Sequence, residues 1–184
     1  MIALIIILAI VVVLALVTVV VYNGLIRKRN QVENSWAQID VQLKRRLDLI
    51  PNLVTTVKGA SDYEKTTLEA VIQARNSAVA APSTPGAQAA ADSQITGALR
   101  QFFALSEAYP DLKANAGYIN LQEELSDTEG RVAYARQFYN DAVTAYNNKL
   151  DTFPSVFFAR ILKFGRREYF EADAAARQAP TVTF

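Results

Sequence analysis

The sequence predicts an all-α fold: an N-terminal transmembrane helix followed by an elongated antiparallel helical bundle. About four main helices and a short C-terminal amphipathic helix are expected. Three observations predict this. Residues Ile2–Val21 form an uncharged apolar run of twenty. Beyond it, apolar residues recur at steps of three and four, the period of a helix with one buried stripe. Nowhere does period-two alternation run long enough for a strand.

The apolar run has Thr18 as its single hydroxyl. As a helix it covers roughly 30 Å, the hydrocarbon thickness of a bilayer. Its Ile and Val content is poor for helix in water, but in lipid each backbone group must pair within the segment. Tyr22 follows at the interfacial position. Only Met1 precedes the run, whereas a signal peptide carries a charged leader, a shorter apolar stretch and a small-residue cleavage site. A retained anchor over residues 2–22 is therefore expected. Arg27, Lys28 and Arg29 come next, and the positive-inside rule then places the N-terminus outside and the rest of the chain in the cytoplasm.

Residues 23–172 read as the helical domain. Val32, Trp36, Ile39, Leu43, Leu47, Ile50, Val54 and Val57 mark one inward stripe. Pro51 interrupts it, because proline lacks an amide hydrogen and crowds the preceding turn. Either one helix kinks there or Asp48 caps a second helix; a kink is the favoured reading. Ser61-Asp62-Tyr63-Glu64 fits a capping box, opening a helix to about Ala81 that buries Leu68, Val71, Ile72 and Val79. A loop at Pro82–Gly86 precedes a helix from about Ala87 to Ala108 on Ala91, Ile95, Leu99, Phe102 and Leu105. The strongest pattern is Tyr118, Leu121, Leu125, Thr128, Val132, Ala135, Tyr139, Ala142, Tyr146 and Lys149. Its alternating threes and fours predict a helix from about Ala116 to Thr152 with packed neighbours. Residues 173–184 are expected to be a flexible tail.

Composition narrows the chemistry. The 184 residues contain no Cys and no His. That removes thiolate nucleophiles, Ser–His triads, imidazole acid–base catalysis and the usual zinc, haem and iron–sulfur ligands. A carboxylate-only enzyme is the narrow remainder. Glu123, Glu124, Asp127 and Glu129 crowd one helix, but inward di-metal helices add Glu-x-x-His motifs, so a solvated face is expected, with Asp127 pairing Arg131. No catalytic residue, metal or cofactor is assigned. The net charge of +1 hides sectors of +4 (residues 22–60), −5 (61–154) and +2 (155–184). These are too few cations, without a reading motif, for nucleic acid.

Several strings occur together: Tyr22-Asn23-x-Leu25-Ile26-x-x-Arg29-Asn30-x-Val32, then Ile39-Asp40-Val41-Gln42-Leu43-Lys44-Arg45-Arg46-x-Asp48-Leu49-Ile50-Pro51-Asn52-Leu53-Val54. Later come Tyr109-Pro110-Asp111-Leu112-Lys113-Ala114-Asn115, Tyr139-Asn140, Tyr146-Asn147, Phe153-Pro154 and Glu168-Tyr169-Phe170-Glu171-Ala172. In this order, over essentially the whole chain, they resemble the LemA family of bacterial membrane proteins. The resemblance implies a single-pass anchor and a long helical bundle, without a settled activity. It implies a bacterial cytoplasmic membrane location, and either membrane organisation or an adaptor role for a membrane metalloprotease in envelope stress. Where family members often carry Tyr-Ala-x-His-Glu, this chain has Ala60-Ser61-Asp62-Tyr63-Glu64, so an imidazole role at that position does not apply.

Two surfaces are candidates for function. Asp40, Lys44 and Asp48 share a helical face at i, i+4 and i+8, beside Arg45, Arg46 and Asn52. They form either a ladder of surface ion pairs, each worth a few tenths of a kcal/mol, or a docking face for a second copy or a membrane protein partner. At the other end Phe157, Ile161 and Phe164 adjoin Arg160, Lys163 and Arg167. On a helix these would put aromatics and cations on neighbouring faces, suited to the bundle's end or to a lipid bilayer surface. With Tyr22, Arg27, Lys28 and Arg29 they make up the expected membrane interface. The function read from these features is a non-enzymatic membrane-anchored scaffold that assembles with itself or a partner.

Overall fold

The computed structural model describes residues 1–58 and 65–171. Six helices occur among them, with no strand: α1 (Ile2–Lys58), α2 (Lys65–Ala80), α3 (Pro85–Ser106), α4 (Pro110–Lys113), α5 (Ala116–Asp151) and α6 (Ser155–Ile161). The anchor and the first bundle helix are one element, since α1 continues unbroken past residue 22. The proposed capping box at Ser61–Glu64 and the tail at 173–184 lie outside the described residues.

The described chain divides into two compact units, to both of which α1 and α5 contribute. The first comprises residues 1–37 and 138–168. From Ile2 to Leu16 the side chains of α1 are exposed, Ile2 at 78% and Leu16 at 62%. Burial begins at Val21 and continues through Leu25 and Val32, opposite Tyr139, Ala142, Val143, Tyr146 and Leu150 of α5. The Trp36 and Tyr139 rings lie 5.6 Å apart.

The second unit comprises, among the described residues, 38–58, 65–137 and 169–171. Its core joins Ile50, Leu53 and Val57 of α1 to Leu68, Val71 and Ala78 of α2, Ile95, Leu99 and Phe102 of α3, Leu112 of α4, and Tyr118 and Leu125 of α5. The α5 pattern is realised almost residue for residue, with Leu121 and Lys149 half-buried and the rest of its seam buried. In α2 the inward residue is Ala78, while Val79 is 61% exposed, a one-position error at the last turn. The short α4 was not anticipated. Proline at its first position opens it, where the missing amide costs nothing.

Pro51 lies inside α1, not at a helix boundary. Its missing N–H leaves the Leu47 carbonyl without the usual i−4 donor, and Arg75 of α2 supplies one, its Nε donating to Leu47 O at 3.0 Å. We expect Arg75→Ala to cost about 1–2 kcal/mol by stranding that carbonyl. In a Pro51→Ala background, where an amide is restored, the cost should fall below about 0.5 kcal/mol. Urea unfolding of the four proteins of this cycle is the check.

Candidate membrane interface and buried arginine

The apolar stretch left uncovered from Ile2 to Leu16 at the start of α1 is the first feature of the interface. This helix is long and apolar enough to cross a membrane, and only 6% of its most apolar stretch is covered by protein. A water-soluble helix would bury such a surface against a core. Immediately beyond it, Tyr22 meets Phe164 edge-on, with ring centroids 6.1 Å apart. Phe164 is thus held at the level where the apolar run ends.

The basic, aromatic segment near the C-terminus departs from its expected geometry. A helix through Arg167 would align Arg160, Lys163 and Arg167, but α6 ends at Ile161, so Lys163, Phe164 and Arg167 are not on it. The chain turns out through Lys163, whose φ is 56°. Lys163 N donates to Arg160 O at 3.3 Å, and Phe164 N to Ala159 O at 2.9 Å. The latter is the 6→1 bond of a Schellman closure, a turn that favours glycine at the left-handed position. A lysine there costs about 1–2 kcal/mol. On α6 itself Phe157 and Ile161 are 59% and 75% exposed, one turn apart on the same face.

After the turn, three α5 side chains bind the backbone of residues 165–168. The Tyr146 hydroxyl donates to Gly165 O at 3.1 Å, and the Tyr139 hydroxyl to Glu168 O at 2.8 Å. Asn147 grips Arg167 both ways: Nδ2 donates to its carbonyl at 3.0 Å, and Oδ1 accepts from its amide at 2.9 Å. Burial pushes the Tyr139 phenol up to about 12, against the opposing pull of Arg167, and raises Tyr146 too. Both phenols therefore remain donors at neutral pH; the stability they contribute is full below about pH 10 and is lost as pH rises through these raised values. Asn147→Ala removes both Arg167 bonds, so we expect a loss of about 2 kcal/mol. It should also raise amide exchange at Arg167, readable by hydrogen–deuterium exchange.

A cavity of about 480 Å³ opens between this segment and α1. Its lining includes Tyr22, Ile26, Leu162 and Phe164, and four cations, Arg29, Lys163, Arg166 and Arg167. Glu33 accepts from Arg167 Nη2 at 2.9 Å and lies 3.7 Å from Arg29 Nε; Asp151 lies 3.1 Å from Arg166 Nη1. Of the other interface candidates, Arg27 is exposed and Lys28 half-buried; both line a second hollow with Gly24 and Lys149. Arg160 is exposed.

The second unit holds the other candidate face, and here one residue must be reassigned. Lys44 Nζ pairs with Asp40 Oδ2 at 2.6 Å, while Arg45, Asp48 and Asn52 are exposed. Arg46 is not on that surface: it is 1% exposed. Its Nη1 donates to Asp92 Oδ1 at 2.6 Å and Thr96 Oγ1 at 2.9 Å, and Nη2 lies 3.7 Å from Glu129. The guanidinium is engaged within the unit and is not presented to a partner. Burial holds the Asp92 carboxyl above the usual 3.8, outweighing the attraction of Arg46. On the outer face of α5 Asp127 pairs with Arg131 at 2.8 Å. Among the described residues no cluster of three potential metal ligands occurs.

Residues 35–184 match the LemA family. The chain belongs to it. It is 32% identical over 135 residues to Protein LemA of Metamycoplasma hominis, covering 71% of this chain and 60% of that protein. It is also 32% identical over 93 residues to Magnetosome protein MamQ 2 of Paramagnetospirillum magneticum, and 31% identical over 93 to Magnetosome protein MamQ of Magnetospirillum gryphiswaldense. Each of these two matches covers 50% of this chain and 34% of the magnetosome protein. The chain thus spans less than two thirds of the length of these relatives. None of their names denotes an enzyme. Family membership and the uncovered apolar helix together describe a membrane-associated helical protein.

Proposed function

We propose that this member of the family is a non-enzymatic, single-pass scaffold of the bacterial cytoplasmic membrane that works by contact. The uncovered apolar start of α1 carries the reading: water strongly disfavours it, and a bilayer accommodates it. The cations at 27–29 support a cytoplasmic side for the helical units. Confinement to a surface raises the local concentration of anything those units bind. The face formed by half-buried Asp40 and exposed Lys44, Arg45, Asp48 and Asn52 is the docking surface in this reading, its occupant a second copy or another membrane protein. Membrane organisation or remodelling is the specific role it would serve.

Crosslinking in native membranes tests the proposal. The wild type should give discrete adducts, and Lys44→Glu with Arg45→Glu should remove them at a stability cost below about 1 kcal/mol, that of the lost Lys44–Asp40 pair and the new like-charge contacts. Both residues are exposed, so the unit should tolerate the change. Adducts that survive charge reversal would exclude this face, and turnover of a small molecule by the purified protein would exclude the scaffold reading.

A further inference from the structure

We propose that the cavity between α1 and residues 162–167 is a binding site for the phosphate group of one anionic glycerophospholipid. The inference rests on the reading that Ile2–Val21 spans the bilayer, and names the lipid that span would meet. Charge is the first argument. Among the described residues, the four lining cations, Arg29, Lys163, Arg166 and Arg167, pair with two carboxylates, Glu33 and Asp151. Lys163 has no ion-pair partner among the described residues, and Arg29 Nε is buried without a hydrogen-bond partner. The cavity therefore carries surplus positive charge and unused donors, which an anionic oxygen ligand satisfies.

Backbone conformation is the second argument. The closure of α6 places lysine in a left-handed conformation, φ 56°, that glycine adopts without strain. The next glycine in sequence, Gly165, lies two residues further on. A cation needed at the cavity accounts for lysine at the strained position.

Depth identifies the occupant. Tyr22 adjoins the last residue of the apolar run, and Ile26 lies about 6 Å further along the helix, so the mouth of the cavity falls at headgroup level. Ile26, Leu162 and Phe164 give it an apolar part that a free phosphate does not use and a glycerol backbone with acyl chains does. The 480 Å³ volume accommodates one headgroup.

The test uses the full-length chain in neutral detergent and native mass spectrometry, with phosphatidylglycerol and phosphatidylcholine as probes. One phosphatidylglycerol should bind saturably and in preference to phosphatidylcholine. Lys163→Gly and Arg166→Gln should each weaken it about fivefold, the effect of one cation near a lipid charge. Lys163→Gly should melt at or above the wild-type temperature, which separates lost binding from lost folding. Equal binding of the two lipids, or variants that bind like the wild type, would overturn the proposal. So would displacement of the lipid by millimolar inorganic phosphate but not by chloride at equal ionic strength, which would assign the cavity to free phosphate. Incorporation into liposomes, scored separately, tests the spanning reading. A chain that inserts but shows no lipid preference sinks this inference alone.

Discussion

Deleting residues 2–21 is expected to move the protein completely from the membrane fraction to the soluble one. Among those twenty residues are five Ile, four Leu and seven Val. At about −0.3 to −0.6 kcal/mol each they favour insertion by roughly 5–10 kcal/mol. The same arithmetic predicts a graded series. Val11→Asp costs about 3 kcal/mol at the helix centre, so the single variant should stay in the membrane. Leu8→Asp, Val11→Asp and Leu14→Asp together cost about 9 kcal/mol, cancelling the driving force, and the triple variant should be released. Fractionation after a high-salt wash reads all three. Retention of the deletion variant would mean that the exposed Phe157 and Ile161 face, with the neighbouring cations, holds the protein at the membrane unaided.

The largest effect within the helical units is expected at Arg46. Arg46→Ala should destabilise by about 3–5 kcal/mol at neutral pH, because it leaves Asp92 buried without its counter-charge. The cost should depend on pH with a definite sign. Burial already raises the Asp92 pKa above 3.8, so the folded state holds that proton more tightly than the unfolded state. The associated stability is fully present below 3.8 and is lost as pH rises through the raised folded value. Arg46 limits that rise, and its removal lets the pKa climb further. The deficit of Arg46→Ala should therefore widen from pH 4 to neutrality and shrink on acidification. Asp92→Asn, which removes the titrating charge but keeps an oxygen for Arg46 to donate to, should abolish this pH dependence and cost less than Arg46→Ala at pH 7. Urea midpoints across pH for the three proteins check this. A pH-independent deficit at Arg46 would show that lost packing, not the buried charge, sets the cost.

The helices were legible wherever a single buried stripe generates them. The seam of α5 shows this best, since burial on one side of a long helix leaves its period in the sequence. Arg46 was missed for a related reason. Leu43, Arg46, Ile50, Leu53 and Val57 are spaced 3, 4, 3 and 4, so Arg46 occupies the inward seam. Its charge led to assignment with Lys44 and Arg45 on the outer face. The spacing alone was the signal. The rescue of the Leu47 carbonyl by Arg75 could not be read, because it joins residues 28 apart through one long side chain. The strap at 165–168 is also aperiodic. Only the paired Tyr139-Asn140 and Tyr146-Asn147, one heptad apart, hinted that polar groups on α5 hold something. The early end of α6 was hidden because the turn uses lysine where glycine would have announced it.

The absence of cysteine allows the central claim, a span with the helical units on the cytoplasmic side, to be measured cleanly. Single cysteines at Ile2 and at Lys44 are each expressed in the full chain and treated with a membrane-impermeant maleimide, before and after permeabilising spheroplasts. The account predicts labelling of position 2 in intact spheroplasts and of position 44 only after permeabilisation. Labelling of position 44 in intact spheroplasts, with position 2 protected or equally reactive, would contradict it.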